Sequence, residues 1–171
     1  RDLPDVIEAT IDWFSRNPDY QMVVRMHPNE RIDPAMTTKG ETLTAYLEYK
    51  YPKGMPENVK VILYESNANS IVIAKHAKAA VVWTSSLAWQ LAYEQVPVIV
   101  AGWAACSQNV GYEASTTKDY WKLVYDAMEG VLKPRKTWKQ DALRYKAIVE
   151  GRCWVSLNHL FGGGYVNDFV P

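Results

Sequence analysis

A chain of 171 residues with 48% hydrophobic side chains, seven Trp and eleven Tyr carries enough apolar surface for one core, which excludes a disordered tract. Nineteen basic residues balance nineteen acidic ones, so no overall field draws the chain to nucleic acid or anionic lipid, and any anion site must be local. Cys106 and Cys153 form neither a CxxC pair nor a zinc set with a spaced His, which excludes a disulfide framework and favours a reducing, cytoplasmic setting.

No apolar run reaches the roughly 20 residues of a membrane span; the run at 96–103 is interrupted by Pro97 and Gly102. Any association with an inner membrane is therefore expected to be peripheral. The opening RDLPDVIEAT has neither the charged-then-apolar order of a signal peptide nor an initiator Met, and the sequence is expected to be part of a longer chain.

In residues 5–16, Val6, Ile7, Ala9, Ile11, Trp13 and Phe14 recur at helical spacing behind Pro4, and Asn17 and Pro18 close the segment. Residues 20–26, YQMVVRM, predict a short strand covered on both faces, stopped by Pro28. After the loop RIDPAMTTKG, residues 41–51 predict a modest helix and PKGMPEN a turn. VKVILY at 59–64 reads as the second strand, and ESNANS offers Asn69 or Ser70 as cap of a helix over 71–76.

AAVVWT at 79–84 predicts a third strand, SSLAWQLAYEQ a helix and VPVIVAG at 96–102 a fourth strand. Helices are expected at 118–129 and 136–150, and Trp13, Trp83, Trp89 and Trp121 fit buried periodicities. Short apolar strands alternating with helices predict an α/β domain over residues 1–150. It is expected to be Rossmann-like, a three-layer α/β/α sandwich with a mainly parallel sheet. An aromatic tail over 151–171 has no clear period and packs on this domain or on another one. GGG at 162–164 neither leaves a strand nor carries a Lys-Ser pair, so it is a joint and not a phosphate loop.

Ligands of open parallel sheets collect beyond the carboxyl ends of the strands. Four predicted strand ends carry polar groups: Arg25, His27 and Glu30; Glu65, Ser66 and Asn67; Thr84, Ser85 and Ser86; and Gly102. Ser85 and Ser86 stand where a strand gives way to a helix. Free amides, a positive dipole end and two hydroxyls there suit a phosphate oxygen, and a ring nitrogen of His27 adds a second donor.

Each residue also has a plainer reading. Ser85 is a natural helix cap, His27 a surface loop residue, Arg25 a partner for Glu30, and Gln90 with Glu94 a solvated helix face. Their convergence on one rim is what favours a ligand. His76 reads as structural, and neither it nor His159 has partners at metal spacing, so no metal is expected.

With these residues in view, YQMVVRMHPNE, MPENVKVI, SNANSIVIAKHAKAAVVWTSSLAWQLAYEQVPVIVAG and GY at 111–112 resemble the carboxyl-terminal half of bacterial capsule polysaccharide biosynthesis proteins. Those are similar to two-Rossmann-domain glycosyltransferases such as Kdo transferases and sialyltransferases, and the resemblance spans about residues 5–130. It implies that His27 with Pro28, and Ser85 with Ser86, bind the nucleotide phosphate of an activated sugar; the strand-end reading adds Arg25 and Thr84 to that phosphate site. It also implies Glu65 near the ribose and Glu94 near the donor.

Two departures stand out. Where relatives read GxPV before the fourth strand, this chain reads EQVPV. The amino-terminal domain that the resemblance implies for the glycan acceptor and the general base is not within these residues, and the chain opens on a helix where a strand of the sheet is implied.

The expected function is donor binding for a metal-independent glycosyltransferase of surface polysaccharide synthesis. The favoured substrate is a CMP-activated sugar of the Kdo or sialic acid type, with His27 at most stabilising the leaving group. A CDP-glycerol glycerophosphotransferase-like domain and a non-catalytic nucleotide-binding or interaction module are the alternatives.

Overall fold

The computed structural model describes residues 2–27, 30, 42–102 and 110–151. Helix α1 spans Leu3–Ser15. It begins where the Asp2 carboxylate accepts the Asp5 N–H at 3.0 Å, with Pro4 in its first turn, so an otherwise unpaired amide is satisfied where proline costs nothing. Strand β1 (Met22–Arg25) is followed by α2 (Leu43–Lys50), capped by Thr42, and β2 (Val59–Ile62). Helix α3 (Ser70–Lys75) is capped by Asn69, whose side chain accepts from the Ile71 and Val72 amides.

Strand β3 (Ala80–Val82), α4 (Leu87–Tyr93) and β4 (Val98–Val100) come next. Strand β5 (Tyr112–Glu113), α5 (Thr117–Met128) and α6 (Trp138–Gly151) complete the described elements. Helix α5 opens with a reciprocal Thr116–Asp119 capping box.

The result is a mixed α/β fold with short parallel sheets. The expected elements are present, each strand a little shorter than its apolar run. Strand β5 was not foreseen, because two residues are too few to show a period. Hydrogen bonding divides the strands into two groups, β1-β2 and β3-β4-β5, and every pair is parallel.

Strand β4 lies at the centre of the larger sheet and is wholly buried. Its Val98 and Val100 join Val82 against α3, α4 and α6, where Trp138 and Ala142 are also fully buried. Its Ile99 faces the other way, toward Val6 of α1 and Tyr120, Val124 and Ala127 of α5. Pleating explains the division, since successive side chains point to opposite faces.

The smaller sheet packs Val24, Met26 and Val59 against Ile11 and Phe14 of α1 and Leu47 of α2. Helix α1 thus touches both sheets. Thr10, buried midway along it, donates to the Val6 carbonyl at 2.6 Å and meets the Tyr120 hydroxyl at 2.7 Å. Asn58 fastens the other end of the helix, its amide donating to the carbonyls of Phe14 and Tyr20 at 2.8 Å each.

Two expectations are corrected. Trp13, Trp83, Trp89 and Trp121 border the core half-buried, and the indole at its centre is Trp138. The helix expected from residue 85 begins at Leu87, because the Ser85 hydroxyl takes the Leu87 amide in a local turn. Helix α4 ends on Gln95 at φ 58°, with the Val96 amide reaching the Leu91 carbonyl at 2.9 Å. That is a left-handed cap formed without glycine.

Candidate functional site

Parallel pairing places the carboxyl ends of β1 and β2 side by side, and likewise those of β3, β4 and β5. At the first edge the ladder runs one residue past β1, the Met26 amide donating to the Ile62 carbonyl at 3.0 Å. His27 follows, exposed, and its carbonyl accepts the Glu30 amide at 2.9 Å.

Arg25 has an occupation that the sequence did not suggest. Its Nη1 donates to the carbonyls of Met26 at 3.0 Å and Leu63 at 2.6 Å, and its Nη2 to that of Ser66 at 2.8 Å. The guanidinium therefore fastens the turn after β2 to the end of β1, five donors on a planar fork suiting several carbonyls at once. Its partners are carbonyls and not Glu30. The Glu30 carboxylate instead accepts from the amide and hydroxyl of Thr44, at 3.2 and 2.7 Å, in the first turn of α2.

Glu65 and Ser66 lie in this turn, Glu65 exposed. The Ser66 hydroxyl accepts the Ala68 amide at 3.2 Å. The turn is thus held from both sides, and the first edge is a built rim carrying His27 and Glu65. Pro28 lies outside the described residues.

At the second edge the Trp83 ring and carbonyl press against Gly102, where an added Cβ would stand 2.7 Å from the indole and 2.9 Å from the carbonyl. Gly102 permits that approach, which brings the ends of β3 and β4 together. Thr84 and Ser86 are exposed, and Ser85 is half-buried with its hydroxyl accepting the Leu87 amide at 3.2 Å. The Ser86 side chain makes no capping hydrogen bond to α4.

Gln90 is half-buried one turn into α4. Glu94 lies at the opposite end of that helix, roughly 12 Å from Ser86 at 1.5 Å per residue, in an ion pair with Lys75 at 2.5 Å. His76 is the exposed cap residue closing α3.

The structure therefore gathers Arg25, His27, Glu65 and Ser66 at one edge and Trp83, Thr84, Ser85, Ser86 and Gly102 at the other. β1 and β3, which bear the two halves of the anticipated phosphate clamp, belong to different sheets. Asn58 and Trp138, structural anchors that the sequence reading missed, carry no periodic signal; each is marked out only by what folding brings to it. Among the described residues no group of three His, Cys, Asp or Glu could hold a metal ion, and no helix is long and apolar enough to cross a membrane. No protein-family model, curated protein or solved structure matches the chain.

Proposed function

We propose that the chain is the donor-binding part of a metal-independent glycosyltransferase for surface polysaccharide, built on a Rossmann-like three-layer sheet, with a CMP-activated sugar as the favoured ligand. The observation that carries this reading is that the parallel ladders end in His27 at one sheet and in Thr84, Ser85 and Ser86 at the other. Donors at the carboxyl ends of parallel strands are where such folds take nucleotides.

In this reading His27 and the Ser86 hydroxyl meet the phosphate, and the amides opening α4 face it. Negative charge growing on the leaving nucleotide is then met by fixed donors. Arg25 contributes as the strut that holds the His27 rim, with its charge nearby. Glycan acceptor and general base belong to another domain.

Calorimetric titration with CMP tests the proposal. Micromolar binding that His27→Ala abolishes supports it; absence of binding to CMP, CDP and UDP overturns it. That second outcome is the one expected of a non-catalytic interaction module, a reading favoured by the structural ties of Arg25, Glu30 and Glu94. Binding of CDP-glycerol in preference to CMP would move the substrate class to glycerophosphate transfer.

A further inference from the structure

Between α5 and α6 the chain reads GVLKPRKTWKQ, with Lys133, Arg135, Lys136 and Lys139 and no acidic residue over 130–140. Helix α5 closes on Gly130 at φ 69°, and the amides of Val131 and Leu132 both donate to the Asp126 carbonyl, at 2.8 and 2.9 Å. Glycine is what lets the chain turn there. Leu132 is then buried against the larger sheet, and Trp138 fully so. Apolar anchors at 132 and 138 hold the segment down, and the residues between them face outward. Lys133, Arg135, Lys136 and Lys139 are all exposed. Val131, before the first anchor, is 68% exposed, the most exposed large aliphatic side chain among the described residues.

The segment has a fixed place. The hydroxyl of Tyr112, which opens β5, donates to the Lys133 carbonyl at 2.9 Å, and the Arg135 guanidinium lies 4.9 Å over its ring. The Trp138 amide reaches the Arg135 carbonyl at 3.0 Å. Lys139 lies 5.1 Å over the ring of Tyr93, the last residue of α4. Because α4 runs from the end of β3 to the start of β4, the segment lies at the amino ends of the strands. Thr84, Ser85 and Ser86 lie at the opposite ends.

None of the four cations has an ion pair among the described residues. Of the acids flanking the segment in the chain, Asp126 is neutralised by Lys122 at 2.6 Å and Asp141 by Arg144 at 3.2 Å. That leaves Glu129, which accepts from the Tyr20 hydroxyl at 3.3 Å, against four positive charges. The whole chain is neutral, so the remainder is acidic on balance. The charge asymmetry turns this end of the molecule toward a negative surface.

What accompanies the charge specifies the partner. The cations are strung along one exposed segment, which suits a surface of many charges and not a single phosphate. Nucleic acid held without groove contacts needs bare aromatic faces for stacking, and here Tyr112 lies under Arg135, Tyr93 under Lys139, and Trp138 is buried. An exposed aliphatic side chain beside cations suits the boundary between headgroups and acyl chains.

We propose that residues 131–139 form a docking surface for an anionic lipid membrane, Lys133, Arg135, Lys136 and Lys139 meeting headgroup charge and Val131 reaching the acyl boundary. The strand ends that carry Thr84, Ser85 and Ser86 then face away from the bilayer. The proposal does not rest on the donor reading, whose groups lie at the other end of the sheet.

Co-sedimentation of the 171-residue chain with vesicles tests it. Phosphatidylcholine vesicles containing about a third phosphatidylglycerol should bind at least about tenfold more tightly than phosphatidylcholine alone, each cation contributing roughly fivefold. Salt at about 1 M, where the screening length is about 3 Å, should remove the difference. Lys133→Gln combined with Lys136→Gln should weaken binding to the anionic vesicles by about tenfold or more, and Val131→Ser by about two- to fivefold. Lys60→Gln combined with Lys118→Gln removes the same charge from exposed positions elsewhere and should weaken it by less than about twofold. All five side chains are exposed, and an unchanged melting temperature checks that each variant is folded.

Equal binding to the two kinds of vesicle, binding to neither, or equal losses in the two double variants overturns the proposal. Unchanged affinity in Val131→Ser, or a DNA duplex bound as tightly as the anionic vesicles, overturns the lipid assignment. CMP titration of the same variants reports on the donor reading separately, so either reading can fail without the other.

Discussion

The three-stranded and two-stranded sheets are built from similar valine-rich runs and end in different surroundings. In β4 all three residues are buried, with helices on both faces. In β1 Val24 is covered by α1 while Val23 is exposed beside Lys60, its register partner, which is exposed too. The larger sheet has enclosed its central strand between apolar faces. The smaller one depends on α1, α2 and a belt of polar contacts, among them Glu8 with Tyr46 and Lys50, and Tyr51 with Asp12. Rigidity should therefore be concentrated on the β4 side, with local opening easiest in the β1-β2 half.

The sharpest test of that contrast is a pair of truncations measured by urea denaturation. Ile99→Ala should cost about 2 to 5 kcal/mol, through lost burial and the cavity left behind. Val23→Ala should cost about 0.5 kcal/mol or less, the range of exposed sites. Equal costs would break the comparison.

Gly102→Ala should destabilise by about 1 to 3 kcal/mol, because the Trp83 indole and carbonyl occupy the space of the new methyl. Thermal melting with Trp fluorescence would report both the loss and the displaced indole. An unchanged melt would show that the ends of β3 and β4 are less closely joined than described.

Gln95→Gly should stabilise the larger sheet by up to about 1 kcal/mol, since φ 58° is strained for a residue with a Cβ. Chemical denaturation should show a higher midpoint with an unchanged slope. A lower midpoint would mean that the hydrogen bond from the Gln95 side chain to the Ala92 carbonyl outweighs the strain.

The smallest effects concern pH and belong to the α1-α2 belt. Hydrogen bonds from Tyr46 and then Lys50 hold the Glu8 carboxyl below its usual range, so its contribution is present above that range and lost as pH falls through the lowered value. Burial first, then the Asp12 hydrogen bond, raise the Tyr51 phenol well above its ordinary 10.0; its contribution is full below about pH 10 and declines above it. Melting temperature should fall on both sides of a broad plateau, and Glu8→Gln should flatten the acid side. An identical acid limb in the variant would remove Glu8 as its source.

Much of this was legible in advance where the signal is local. The helix of α1 follows from apolar spacing behind Pro4, and the Asn69 cap from side-chain chemistry that needs no distant partner. The EQVPV departure from a glycine-containing turn was visible too, and Gln95 adopts the left-handed conformation that glycine would favour. At the candidate site the residue types were legible but their occupations were not. Arg25 read as an anion ligand and is fastened to backbone carbonyls, because backbone groups beyond a strand end are placed by the neighbouring strand. Glu30 was displaced for a similar reason, its partner Thr44 coming from the next helix.

The amino-acid order alone determined the alternation of strand and helix, the caps, and the hydrophobic faces, since each depends on periodicity or on contacts within a few residues. Only the tertiary structure decided that the strands form two sheets bridged by α1, that Trp138 lies at the centre of a core, and that Glu94 pairs with Lys75 away from the serines. The reason is physical: strand pairing and burial are set by groups far apart in the chain, and their free energy is realised only when those groups meet.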